Sequence, residues 1–140
     1  MLVTPMRRDL TQYGLAETRT PEEVDAALQP ENGTVLMVIN SVCGCAAGKA
    51  RPAVGLALQN AIRPDKAVTV FAGADVDAVD HLRNNALAEV PPSSPSMALF
   101  RDGKPVFVLH RRDIESHDAI QIAGMLKVAF EQYCQTPSSR

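Results

Sequence analysis

Thr34-Val-Leu-Met-Val-Ile-Asn40, running directly into Ser41-Val-Cys-Gly-Cys-Ala-Ala47, is the stretch that decides the fold. Its first half is a continuous apolar run rich in β-branched residues. Such a run lacks the polar alternation of a strand with one wet face. It reads as a strand buried on both sides, at the centre of a parallel sheet. Its second half carries two cysteines one residue apart and opens a helical stretch that reaches about Ile62. Pro52 lies inside that stretch and removes a backbone donor, so a kink or a break is expected there.

Downstream, Ala67-Val-Thr-Val-Phe-Ala72 is a second buried strand. Asp75 to Ala88 reads as a helix with Val79, Leu82 and Leu87 on one side. Met97-Ala-Leu-Phe100 and Pro105-Val-Phe-Val-Leu109 flank Arg101-Asp-Gly-Lys104, and an Asp-Gly pair between two apolar runs predicts a tight hairpin. Ser116 or Asp118 starts a last helix whose Ile122, Leu126, Phe130 and Tyr133 form one apolar stripe. Upstream, Thr20 caps a helix that has Pro21 at its first position and Glu22 and Glu23 in its first turn, and Pro30 stops it. Pro5 to Tyr13 is a short helix ending at Gly14.

The order is strand, helix, strand, helix, strand, strand, helix. The first two strands and their crossover helix form a right-handed parallel unit, and the last two pair antiparallel. The expected fold class is therefore α/β and thioredoxin-like, a mixed central sheet of about four strands with helices on both faces. At 140 residues the chain has the size of one domain, read here as 1–140 with a frayed polar tail at 136–140.

Composition narrows the function classes. The net charge of -2 carries no basic excess for nucleic acid. No apolar run is long enough for a transmembrane helix, and the first residues lack the pattern of a signal peptide. Cytoplasmic residence is the expectation. Three cysteines are too few for a disulfide-stapled scaffold, and a close pair in a reducing compartment points to redox or metal chemistry.

Thiol–disulfide exchange needs a thiolate to attack and a second thiol to resolve the mixed disulfide. Cys43 follows a strand and opens a helix, where unpaired N–H groups and the dipole favour negative charge. Cys43 is thus the candidate attacking thiol and Cys45 the resolving one. Gly44 between them leaves the backbone free to adapt. Lys49 and Arg51 are candidate sources of added positive potential. A Cys-x-Cys disulfide closes a very small ring, so a strained and readily reduced bond is expected. Two bland readings stand beside this one: inert core thiols, and half of a metal site. A zinc site needs two more ligands, and His81, His110, His117 and Cys134 are scattered in sequence; no metal ligand is assigned.

Ser93-Ser-Pro-Ser-Met97 is the second constellation. By base rate an X–Pro bond is trans. In the thioredoxin plan, however, a cis-proline precedes the third core strand and faces the redox pair, and Pro95 stands at that place. It would present the backbone of Ser94 to an extended substrate and keep metal ions from the thiols. Cys134 reads as a thiol without a role, or as a regulatory partner of the pair. His110-Arg-Arg-Asp113 reads as a solvated element end, or as a site recognising an acidic thiol.

Asn40-Ser-Val-Cys-Gly-Cys-Ala-Ala-Gly48 with Arg51-Pro-Ala53 resembles the signature of the bacilliredoxin family. Pro5-Met-Arg-Arg-Asp-Leu-Thr11, Val68-Thr-Val-Phe-Ala-Gly73, Pro92-Ser-Ser-Pro-Ser-Met-Ala98 and Ile114-Glu-Ser-His-Asp118 are similar to that family too, so the likeness spans nearly the whole chain. The resemblance implies a thiol–disulfide oxidoreductase that removes bacillithiol from protein mixed disulfides, with isomerase or reductase capacity beside it. It implies bacillithiol as co-substrate with no bound cofactor, and bacillithiolated client proteins as partners. Cys43 and Cys45 would be the catalytic pair, with Ser41, Gly44, Ser94 and Pro95 binding substrate. The alternative is a metal-binding or redox-sensing protein that uses the same sulfurs without catalysis.

Overall fold

The computed structural model describes residues 3–134; the tail expected to fray at 136–140 lies outside them. The apolar run forms β2 (Thr34–Asn40), and every one of its residues is buried. Around it the chain builds α1 (Thr4–Thr11), β1 (Ala16–Glu17), α2 (Pro21–Ala27), α3 (Arg51–Ala57), β3 (Lys66–Phe71), α4 (Val76–Asn84), β4 (Ser96–Arg101), β5 (Lys104–Leu109), α5 (Arg111–Glu115) and α6 (Ala119–Tyr133). The sheet order is β1-β3-β2-β4-β5. β1 and β2 run parallel to β3, and β2–β4 and β4–β5 are antiparallel.

The sheet thus has five strands rather than about four. The extra one, β1, pairs only Ala16 and Glu17 with β3. So short a strand carries no readable alternation, and the pairing comes from the neighbouring strand rather than from local propensity.

Side chains of β2 alternate between two cores. Leu36 and Val38 join Met97, Leu99, Ala53, Leu126 and Phe130, beneath α1, α3 and α6. Val35, Met37 and Ile39 join Val24, Val68, Val70, Leu82 and Phe100, beneath α2 and α4. Each such aliphatic side chain contributes about 2 kcal/mol when fully removed from water. That two-sided burial is why β2 shows no polar alternation.

Local signals hold at the helix ends. The Thr20 side chain accepts the Glu23 N–H. Asp118, the second of the two expected starts, accepts the Gln121 N–H while Gln121 reaches back to the Asp118 N–H, a capping box. At the hairpin, Asp102 and Gly103 both take positive φ, 54° and 86°, the requirement of a type I′ turn.

The helical stretch after the cysteines differs from expectation. Residues 46–50 form a π turn, in which the Arg51 N–H donates to the Ala46 carbonyl. Pro52 follows directly, inside a helical run that is unbroken from residue 44 to 57, so the π turn sits where the missing Pro52 N–H interrupts the bond ladder. The helix ends at Ala57, short of Ile62, because Gln59 and Asn60 bond three residues back and tighten the chain. Among the described residues no helix is long and apolar enough to cross a membrane.

Candidate active site

β2 ends at Asn40, and the next five residues carry the site. Register fixes what stands beside it. Ile39 pairs with Ser96 across the antiparallel β2–β4 ladder, so the residues just before Ser96 flank the turn after Asn40. The Ser94–Pro95 bond there is cis, in keeping with its place before the third core strand.

The turn is held by side chains. The Ser41 hydroxyl accepts the Cys43 N–H at 3.0 Å, and the Asn40 side-chain oxygen accepts the Ser41 N–H at 2.8 Å. Arg51 reaches back from α3. Its Nη1 donates to Asn40 Oδ1 and to the Ser41 carbonyl, each at 3.0 Å, and its Nε donates to Asp9 at 3.0 Å. Ser41 and Arg51 are buried. This network spans β2, the turn, α3 and α1.

Cys43 and Cys45 are half-buried, with exposed Val42 and Gly44 beside them. Their sulfurs lie 2.7 Å apart. Gly44 has open space on its Cα, since a Cβ there would meet nothing within 4 Å. Cys45 packs against the α3–α6 core.

The environments of the two sulfurs diverge. Burial pushes the Cys43 thiol up, but the Cys45 S–H, the backbone N–H groups of Ala46 and Cys45 and the charge of Arg111 outweigh it, and the net effect is downward. Cys45 is pushed up to about 11 by burial, by its hydrogen bond with Cys43 and by the negative charge there, with Glu115 adding and Arg111 opposing. One sulfur is suited to attack, and the other to hold its proton until a disulfide forms beside it.

The cation facing both sulfurs is thus Arg111, neither Lys49 nor Arg51. Lys49 donates instead to the Glu115 carbonyl at 2.6 Å, and Arg51 is committed to the turn. Arg111 follows β5 as the first residue of α5. Its N–H donates to Ser93 Oγ at 3.1 Å, Nη1 to the Ser94 carbonyl at 3.3 Å and Nε to Glu115 at 3.2 Å. Through Arg111 the structure joins Ser94 to the thiols. Sequence reasoning left His110-Arg-Arg-Asp113 open between an element end and an acidic-thiol site, because nothing in its local pattern reports a partner so far away in the chain. A signal for Arg51 did exist: a charge in the small apolar string Ala50-Arg-Pro-Ala-Val-Gly55 implies a buried partner.

Cys134 is buried in the same core as α3 and α6. Among the described residues, no group of three or more His, Cys, Asp or Glu side chains is placed to hold a metal ion.

A family model described as "Disulphide isomerase" matches residues 1–134. A bacilliredoxin of Salinibacter ruber is 52% identical over 134 residues, spanning 95% of this chain and 78% of that one. A bacilliredoxin of Geobacillus kaustophilus is 48% identical over 134 residues, spanning 96% of this chain and 91% of that one. Among solved structures, a mutant thioredoxin from Halobacterium salinarum aligns with a TM-score of 0.57 at 22% identity, over 86% of this chain and 90% of that one. Thioredoxin O2 from Arabidopsis thaliana, in its oxidized state, aligns with a TM-score of 0.56 at 16% identity, over 89% of this chain and 97% of that one. At such identities these two likenesses speak to the fold, which is thioredoxin-like.

Proposed function

The chain belongs to the bacilliredoxin family of thiol–disulfide oxidoreductases, and from that premise we propose that it removes bacillithiol from protein mixed disulfides, with Cys43 attacking and Cys45 resolving. The observation that carries this reading is the split between the two sulfurs. Cys43 is ionised more easily than an ordinary thiol, and Cys45 stands 2.7 Å behind it with its own ionisation held up to about 11.

The Cys43 thiolate attacks the bacillithiol sulfur of the mixed disulfide. The client's S–S bond breaks, and the client sulfur leaves with the electron pair and takes up a proton. Bacillithiol is now disulfide-linked to Cys43. Cys45 gives up its proton and attacks the Cys43 sulfur, and bacillithiol leaves as the thiolate. The protein is left with a Cys43–Cys45 disulfide, two electrons more oxidised, which a second thiol pair or two further thiols reduce. The same exchange run on a client disulfide gives reductase or isomerase activity.

Ser41 holds the Cys43 N–H and so aims the turn. Gly44 keeps the approach to the sulfur open, and the Ser94–Pro95 backbone lies along the path of an extended client. No prosthetic group is needed, and a reducing cytoplasm suits the chemistry. All the participating residues lie within one domain.

The test is turnover of a bacillithiolated client by the reduced protein, its Cys43→Ser variant and its Cys45→Ala variant. Loss with Cys43→Ser, and a bacillithiol adduct trapped on Cys43 in Cys45→Ala, are expected. Equal turnover by all three, or an adduct on Cys134 alone, would overturn the reading.

A further inference from the structure

The segment before the cis bond is gripped from the side of α4. Nη2 of Arg83, near the end of that helix, donates to the Ser93 carbonyl at 2.9 Å. The Ser96 hydroxyl donates to the same carbonyl at 2.9 Å. A carbonyl oxygen has two lone pairs, and both are engaged here. The Ser93 carbonyl is therefore fixed towards α4 and the start of β4.

Fixing that oxygen also fixes the next main-chain donor. Ser94–Pro95 is the one cis bond among the described residues, so the Ser93–Ser94 peptide is trans. In a trans unit the C=O and the following N–H point opposite ways within one plane. With the Ser93 oxygen turned to Arg83 and Ser96, the Ser94 N–H is turned away from them. Among the described residues nothing accepts a hydrogen bond from it. Pro95 has no N–H to offer, and the Ser94 carbonyl is held by Arg111 Nη1. The Ser94 N–H is thus the free main-chain group at the cis bond.

Fold stability alone does not account for an arginine at position 83. Its Nε is buried and makes no hydrogen bond among the described residues, and an unmade buried donor weakens a fold. An apolar side chain would avoid that cost, but it would release the Ser93 carbonyl.

We propose that Arg83 is a positioning residue for client binding: by holding the Ser93 carbonyl it aims the Ser94 N–H at a main-chain carbonyl of the client, beside the modified cysteine. The partner it fits is an extended peptide main chain, recognised without regard to side-chain sequence. The inference rests on the reading of Cys43 as the attacking thiol with the client along Ser94–Pro95. It goes further by naming the donor, the client atom and the residue that sets the donor's direction.

The test compares two substrates in single turnovers, with the reduced protein's own dithiol supplying both electrons. One is a mixed disulfide of mercaptoethanol with a cysteine peptide. The other is hydroxyethyl disulfide, which has no peptide group. Arg83→Met should lower the ratio of peptide to hydroxyethyl disulfide rate constants about fivefold, the size of one ordinary hydrogen bond. The loss should lie in the half-saturating peptide concentration rather than in the limiting rate. Arg83→Lys keeps a donor and should recover part of the ratio. An unchanged ratio in Arg83→Met, a loss shared equally by both substrates, or no recovery in Arg83→Lys overturns the role. The two readings fail differently: if Cys43 is not the attacker, Cys43→Ser still turns over both substrates. A second readout leaves Arg83 in place. In Cys45→Ala, with Cys43 joined by a disulfide to the peptide or to mercaptoethanol, hydrogen exchange of the Ser94 amide should be slower in the peptide-linked form. Equal exchange in the two forms overturns the role independently.

Discussion

Nη1 of Arg51 lies 3.0 Å from the carbonyl oxygen of Ser41, two residues before the first thiol. The same nitrogen holds Asn40 Oδ1, so a single buried guanidinium fixes both residues of the strand-to-turn junction. The helix that follows the thiols therefore grips the strand that precedes them.

Replacing that guanidinium should be costly. Arg51→Met leaves two buried acceptors without this donor, while Asp9, half exposed, returns to water. A loss of about 3 kcal/mol is expected, from typical penalties for unmade buried hydrogen bonds. Chemical denaturation measures it. Arg51→Lys keeps the charge but not the fork and should fall in between. An unshifted unfolding midpoint for Arg51→Met would contradict the clamp.

The thiol pair should titrate unequally. Cys43 is held below the ordinary cysteine range and Cys45 is pushed up to about 11. Iodoacetamide at neutral pH should therefore label Cys43 and spare Cys45, as read by peptide mapping. Removing the S–H donor in Cys45→Ala, or the positive charge in Arg111→Gln, disfavours the thiolate. In both variants the inflection of the Cys43 labelling rate moves to higher pH, and the rate below it falls. A downward move in Arg111→Gln would reverse the assigned sign.

Arg7 and Asp75 test how the fold carries buried charge. They form a two-pronged pair at 2.7 and 2.9 Å, Asp75 also accepts the Phe71 N–H, and Arg7 lies 5.2 Å from the Phe71 ring centroid. Arg7→Met strands a buried carboxylate and should cost about 3–5 kcal/mol. Adding Asp75→Asn to it removes that charge and keeps an acceptor for Phe71, so the double variant should be more stable than Arg7→Met alone. Thermal or denaturant unfolding of the three proteins decides it.

Gly103 tests the hairpin. Its φ of 86° disfavours any L side chain, and a Cβ there would lie 3.4 Å from the Leu28 carbonyl oxygen. Gly103→Ala should destabilise by about 1 kcal/mol, with amide exchange quickening first in β4 and β5. Unchanged stability and exchange would mean that the turn can take another form.

Much of this molecule is legible in its sequence. The β2 run, the Thr20 and Asp118 caps and the Asp-Gly hairpin each depend on bonds or periodicities within a few residues, so the chain states them locally. The Cys-Gly-Cys string could be placed at a strand-to-helix junction for the same reason. Pro95 lay between the two cases. Its local preference is trans, and only its place before the third core strand suggested the cis bond that the structure has.

Four of the five strands, the caps, the turn and the spacing of the sulfurs are written locally in the chain, because backbone hydrogen bonding and apolar alternation are short-range. Which cation faces the thiols, which one clamps the turn, and the addition of Ala16 and Glu17 as an edge strand emerge from the folded chain alone. Those outcomes depend on distances through space between residues far apart in the chain. Local pattern carries no record of such distances until the sheet sets its register.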